Sequence, residues 1–143
     1  MEIQLTTIAN YQRQTRVRWV DTDASGWAHF SSYVKLMEET EYAFLRSRGL
    51  SVVLHDERGT LGFPRLSAEL TLIEPLRFDQ AVTVELRLLA IDGKQLTYEF
   101  VILSDANAIA VTGKFVVACC RFPDDQSPYA VLIPDHVQNA LTH

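Results

Sequence analysis

Alternation of apolar and polar residues dominates this chain. Residues 65–73 set Leu66, Ala68, Leu70 and Leu72 against Arg65, Ser67, Glu69 and Thr71. Residues 82–88 set Val82, Val84, Leu86 and Leu88 against Thr83, Glu85 and Arg87. Residues 96–102 set Leu96, Tyr98, Phe100 and Ile102 against Thr97, Glu99 and Val101. A period of two marks a strand with one buried and one wetter face. The longest run, 108–121, places Ile109, Val111, Phe115, Val117 and Cys119 on one face, with Gly113 where a bulge or bend is expected. Residues 13–19 alternate too, Arg13, Thr15, Val17 and Trp19 opposite Gln14, Arg16 and Arg18, and predict a half-exposed strand.

Only one long segment breaks this period. In "SSYVKLMEETEYAFLRSR", residues 31–48, the residues Tyr33, Leu36, Met37, Thr40, Ala43, Phe44 and Ser47 share one face at helical spacing. Ser31 or Ser32 offers a cap, Gly49 a stop, and Arg46 and Arg48 suit the negative end of the helix dipole. Lys35 and Glu39 are spaced to pair on the outer face. Tight connections are expected at "IDGK" (91–94) and "SDAN" (104–107), and "EPLRFDQ" (74–80) links two strands, so sequential strands are expected to be antiparallel neighbours. Pro134 can open a short C-terminal helix. The pattern predicts a single α+β domain over residues 1–143, one long central helix covered by a curved antiparallel sheet of about five strands.

Composition removes several classes of function. The 143 residues carry a net charge of -5 and no run of Lys or Arg, so nucleic acid is not an expected partner. The opening "MEIQLTTIANYQRQ" lacks a signal-peptide pattern, and no apolar run reaches the ~20 residues that a membrane helix needs, so a cytoplasmic protein without membrane attachment is expected. Cys119 and Cys120 are adjacent and would point to opposite faces of a strand, so no disulfide is expected. The four histidines show no metal-ligand spacing with them, and no metal is expected.

The candidate chemistry lies in "VRWVDTDASGWAHF" (17–30), where Asp21 and Asp23 stand at the mouth of the long helix. Turn chemistry alone accounts for such acids, because side-chain oxygens there satisfy free N–H groups. A phosphatase reading, a strand followed by D-x-D, meets two obstacles. It needs a buried parallel strand, and "TRVRWV" alternates with arginines. It also needs repeated βα units, whereas here strands follow strands. A third reading comes from resemblance. "DTDASGWAHFSSYVKLMEETEYAFLRSRGL" resembles the signature of hotdog-fold acyl-CoA thioesterases of the 4-hydroxybenzoyl-CoA thioesterase type, through Asp21, Asp23, Gly26, Tyr33, Met37, Glu38, Leu45, Arg46 and Gly49.

That resemblance implies a hotdog fold and hydrolysis of an acyl-CoA thioester to a free acid and CoA. Asp23 would be the nucleophile or general base, and a backbone N–H at His29 or Phe30 would stabilise the oxyanion. Gly26 would admit substrate close to the backbone, Trp27 and Tyr33 would border the acyl group, and Asp21 would shape the loop. His29 could line the pocket or assist water. Arg65, Lys94, Lys114 and Arg121 are candidates for CoA phosphates. Glu41 stands where many relatives carry arginine, and "WAHFSSY" replaces a common Tyr-His or His-x-Asn. Glu41 is expected to be a solvated helix acid rather than a second acid of the pocket. No cofactor is implied beyond the CoA of the substrate. Sheets joined edge to edge would give a homo-oligomer, a dimer or tetramer, with sites between protomers. An acyl-carrier-protein thioesterase and a non-catalytic acyl-thioester-binding module are the alternatives.

Overall fold

The fold is taken from a computed structural model that describes residues 7–143. The absence of a leader was read partly on residues 1–6 and lies outside the described residues. Five strands form the main sheet: β1 (Ala9–Arg16), β4 (Arg65–Leu72), β5 (Ala81–Asp92), β6 (Gln95–Leu103) and β7 (Ile109–Ala118). Their order is β1-β5-β6-β7-β4, antiparallel throughout. The 18-residue helix α1 (Phe30–Ser47) lies on one face, and an eight-residue helix α2 (Asp135–Thr142) opens after Pro134.

The alternation predicts the core directly. Val82, Val84, Leu86 and Leu88 from β5, Leu96, Tyr98, Phe100 and Ile102 from β6, and Val111, Phe115 and Val117 from β7 are all buried. From α1, Tyr33, Leu36, Met37, Phe44 and Leu45 meet them. Burying each such side chain contributes roughly 1.5–3 kcal/mol, so the paired faces hold helix and sheet together. Gly113 marks no bulge, for it pairs regularly with Leu70 and Phe100. It instead leaves room for Met37, whose Cε would lie 2.3 Å from an added Cβ.

Several expectations are corrected. The first strand ends at Arg16, and Trp19–Asp21 form a single 3-10 turn, since the Asp21 side chain accepts from the Arg18 N–H at 2.9 Å and its amide donates to the Arg18 carbonyl. β4 and β5 are not neighbours: β4 pairs with β7 at the sheet edge, and residues 73–80 cross the end of the sheet. The run 108–121 breaks at Cys119, after which Cys120–Arg121 (β8) joins a second small sheet, with β2 (Val53–Asp56), β3 (Gly59–Gly62) and β9 (Tyr129–Ala130) in the order β2-β3-β8-β9. Both cysteines are free and buried. Glu39 pairs with Arg13 at 3.1 Å and Arg18 at 3.0 Å rather than with Lys35, because Arg13 of β1 projects towards the helix. Ser47 is exposed, whereas Glu41 and Leu45 join the buried face.

Candidate active site at the start of the long helix

The loop from η1 (Trp19–Asp21) to Phe30 is held by its own backbone. The Asp23 amide donates to the Trp27 carbonyl (3.0 Å), and the Gly26 amide donates back to the Asp23 carbonyl (3.0 Å). Gly26 takes φ 84°, a left-handed value that costs glycine little. The link 73–80 closes the loop from the other side: Ala28 donates to the Leu76 carbonyl (2.7 Å), Phe78 donates to the Gly26 carbonyl (3.2 Å), and Trp27 bridges to Arg77. Leu76 is fully buried as the anchor of that crossing. The link is therefore a wall of the site, which periodicity gives no means of foreseeing.

The two aspartates part company here. Asp21 is buried, 2% exposed, and receives the Arg18 amide and guanidinium. Its carbonyl accepts from the His29 amide (2.8 Å) and the Ser32 hydroxyl (2.5 Å). It is the brace of the loop. Asp23 is exposed, and its carboxylate accepts from the Ser25 amide (2.8 Å) and hydroxyl. These bonds, hydroxyl first, hold its pKa below the ordinary carboxylate value, so it is charged at neutral pH. Ser25 was not singled out from sequence; D-x-S is a common side-chain-to-backbone turn, and that was the available signal.

The helix start is also decided by these contacts. His29, not Ser31 or Ser32, is the cap, its Nδ1 accepting from the Ser31 amide at 3.2 Å. The serine at 32 is drawn away by the Asp21 carbonyl. The His29 amide is engaged with Asp21 and the Ser32 amide with the His29 carbonyl. Among the described residues this leaves the Phe30 N–H as the helix-start amide with no protein acceptor. It lies at the positive end of the α1 dipole.

Beside it, Ala28, Phe30 and Tyr33 with Leu72, Ile73, Glu74 and Pro75 line a cavity of about 240 Å³. Tyr33 is 3% exposed, and burial raises its hydroxyl pKa, an effect the Leu76 backbone partly offsets. Trp27 and Phe30 are exposed, and the Arg77 guanidinium lies 5.6 Å over the Trp27 ring. Asp23, Gly26, Trp27, His29, Phe30 and Tyr33 thus fall in one region.

Arg65 and Lys94 do not join them within one chain. Arg65 pairs with Glu41 (2.7 Å) and Glu38 (3.2 Å) and stacks 4.6 Å over the Phe115 ring. Lys94 sits in the β5–β6 turn, at the far end of the 12-residue β5 from the Asp23 loop, a distance of about 40 Å at strand rise. There Lys94, Arg58, Arg121 and His136 line a larger cavity of about 760 Å³. Arg121 is already held by both oxygens of Asp56, at 2.7 and 2.9 Å, which lowers the Asp56 pKa. Lys114 lies with Glu69 and Glu99 on the outer face of the sheet. Glu41 is corrected outright: it is 1% exposed, and burial raises its pKa to about 7 against the pull of Arg65. Helical spacing placed it just off the apolar face; Arg65 holds both its oxygens, and it lines a cavity with residues of β2 and β3.

Comparison with known proteins identifies the family. The family described as Thioesterase-like superfamily matches residues 17–141. A protein of Aquifex aeolicus described as a putative esterase is 30% identical over 95 residues, 66% of this chain and 73% of its own length. The 1,4-dihydroxy-2-naphthoyl-CoA thioesterase of Synechocystis superposes with a TM-score of 0.80 at 17% identity, over 93% of this chain and 96% of its own. A 4-hydroxybenzoyl-CoA thioesterase variant complexed with 4-hydroxybenzoyl-CoA superposes with a TM-score of 0.79 at 12% identity, over 92% and 98%. With the family matching nearly the whole described chain and the fold shared with these thioesterases, the protein belongs to the Thioesterase-like superfamily and is a thioester hydrolase of hotdog fold.

Proposed function

We propose that the protein hydrolyses acyl-CoA thioesters, with Asp23 as the reacting carboxylate and the Phe30 N–H as the oxyanion donor. The observation that carries this reading is the pairing of an exposed, ionised carboxylate with a free helix-start amide in one loop. The thioester carbonyl would lie between them, its acyl group towards the Tyr33 cavity. In one route Asp23 takes a proton from water, and the resulting hydroxide adds to the carbonyl. The C–S bond then breaks, and the CoA thiolate recovers the proton. In the other, an Asp23 oxygen attacks directly, CoA thiolate leaves, and water hydrolyses the mixed anhydride. Both routes build negative charge on the carbonyl oxygen, which one positioned donor stabilises by ~10²–10³ in rate. His29 caps the helix in this scheme and keeps the Phe30 amide aimed.

The open edge of β4, with Leu66 and Leu72 more than half exposed, supports assembly of two copies edge to edge. Such a dimer would bring basic residues of the partner near the Asp23 loop, which lacks Arg65 and Lys94 of its own chain. The test is release of free thiol from a panel of aromatic, short and long acyl-CoAs by wild type and Asp23→Asn. Turnover that Asp23→Asn abolishes is expected. Wild type that binds CoA thioesters without turnover would establish the non-catalytic module instead. Single-turnover hydrolysis in labelled water tests the direct route: label in the carboxylate of Asp23 establishes an anhydride that water cleaves at the Asp23 carbonyl, and trapping of the acylated Asp23 detects an anhydride cleaved at the acyl carbon.

A further inference from the structure

The carbonyl of Asp21 takes the His29 amide and the Ser32 hydroxyl, which leaves the Phe30 N–H free. Asp21 is itself fixed by a chain of ions. Its carboxylate is buried and lies against the Arg18 guanidinium, with Nε 3.1 Å from one oxygen and Nη2 3.3 Å from the other. The same Nη2 reaches Oε1 of Glu39 at 3.0 Å. The second Glu39 oxygen accepts from Nη2 of Arg13 at 3.1 Å, and the Arg13 Nε donates to the Thr40 hydroxyl at 3.2 Å. Arg13 belongs to β1, and Glu39 and Thr40 belong to α1. Loop, helix and sheet are thus tied at one point.

Glu39 stands nine residues on from Phe30, about 13 Å along the helix, too far to touch the reacting atoms. Its reach into the site runs only through Arg18 and Asp21. The helix therefore carries the candidate oxyanion donor at its start and, two and a half turns on, the acid that holds the loop beside that donor. A slide of the loop along α1 must break the Arg18 bridge. An isolated exposed ion pair contributes little. This one ends on a buried carboxylate, whose charge is costly to leave without its partner. Arginine suits the middle place, because a planar fork meets two carboxylates at once, whereas an ammonium is a point charge on a flexible stem. We propose that Glu39 is a positioning residue: through Arg18 and Asp21 it clamps the loop to α1, so that the Asp23 carboxylate and the Phe30 amide keep their relative placement. Its catalytic consequence rests on the hydrolase reading above; the clamp itself is a property of the fold.

Two readouts on the full-length protein test the clamp. One is hydrogen exchange of the His29 amide, taken as a ratio to that of the core residue Phe100, so that a plain loss of global stability cancels. The other is steady-state hydrolysis of a thioester. Glu39→Met removes both acceptors at similar volume. It is expected to raise the exchange ratio about tenfold and to lower kcat about tenfold with KM within about twofold, the mark of lost alignment rather than lost binding. Glu39→Gln keeps one acceptor for Arg18 and should recover part of both. Arg18→Lys should resemble Glu39→Met, and the double variant of Arg18→Lys with Glu39→Met should be no slower than the slower single, since both break one link. Arg87→Met breaks a 3.5 Å pair with Glu99 on the outer face of the sheet and should change neither readout. An exchange ratio and kcat that stay at wild-type values in Glu39→Met, with only the urea midpoint lowered, overturn the proposal. So does a double variant slowed by the product of the two singles. A wild type that turns over no thioester overturns the hydrolase reading instead, and the exchange ratio then decides by itself whether Glu39 clamps the loop.

Discussion

Two acids, one before and one within the same helix, show how environment divides a single chemical group into two tools. Asp23 stands in water before the first turn of α1, and hydroxyl and amide donors hold its pKa down. Glu41 is buried on the inner face of α1, where burial raises its pKa to about 7 although Arg65 lies 2.7 Å away. Solvation and donors keep the first charged and available. Desolvation makes the second costly to charge, and the Arg65 guanidinium holds both its oxygens. A carboxylate is thus defined less by its identity than by what replaces the water around it.

The comparison can be broken or sharpened by substitution. The largest effect is expected from Asp23→Asn, which removes the reacting oxygen without changing shape. It should lower kcat by about 10³-fold, with the urea midpoint unchanged, because the side chain is exposed. Glu41→Gln should instead act on stability. The Glu41 carboxyl keeps its proton up to about pH 7 in the folded chain but only to its ordinary value of 4.5 when unfolded. The folded state therefore binds more protons between those values. Stability should fall as pH rises from 4.5 to 7 and be level above, an effect of at most about 3 kcal/mol. Urea unfolding of Glu41→Gln at pH 5 and pH 8 should lose that slope.

Smaller effects test the scaffold. His29→Ala deletes the N-cap and should lower stability by about 1 kcal/mol, while kcat changes by less than about tenfold, since the Asp21 carbonyl still anchors position 29. Ser25→Ala should have the least effect. It frees Asp23 from its hydroxyl donor, so the acid limb of the kcat/KM profile should move to higher pH, with the plateau nearly unchanged.

Much of this was legible in residue order. The inward faces of β5, β6 and β7 and most of the α1 apolar stripe follow from periods of two and 3.6, because a residue's side is fixed by its own backbone. The acid pair and the glycine at 26 marked the loop through their resemblance to the family motif, since spacing alone reads equally as turn chemistry. The order β1-β5-β6-β7-β4 was not legible, since a seven-residue link reads alike whether it turns back or crosses the sheet. The short strands β2, β3, β8 and β9 were missed because two to four residues are too few to show a period.

The sequence by itself determined the strand faces, the long helix, the braced loop and the family motif, all of which depend on neighbours within a few residues. Only the tertiary structure decided which helix-start amide stays free, that residues 73–80 wall the site, that Lys94 lies at the opposite end of the sheet, and that Glu41 is buried. Those depend on atoms brought together from distant positions, and solvation, which sets the chemistry of every charge here, is a property of that assembly.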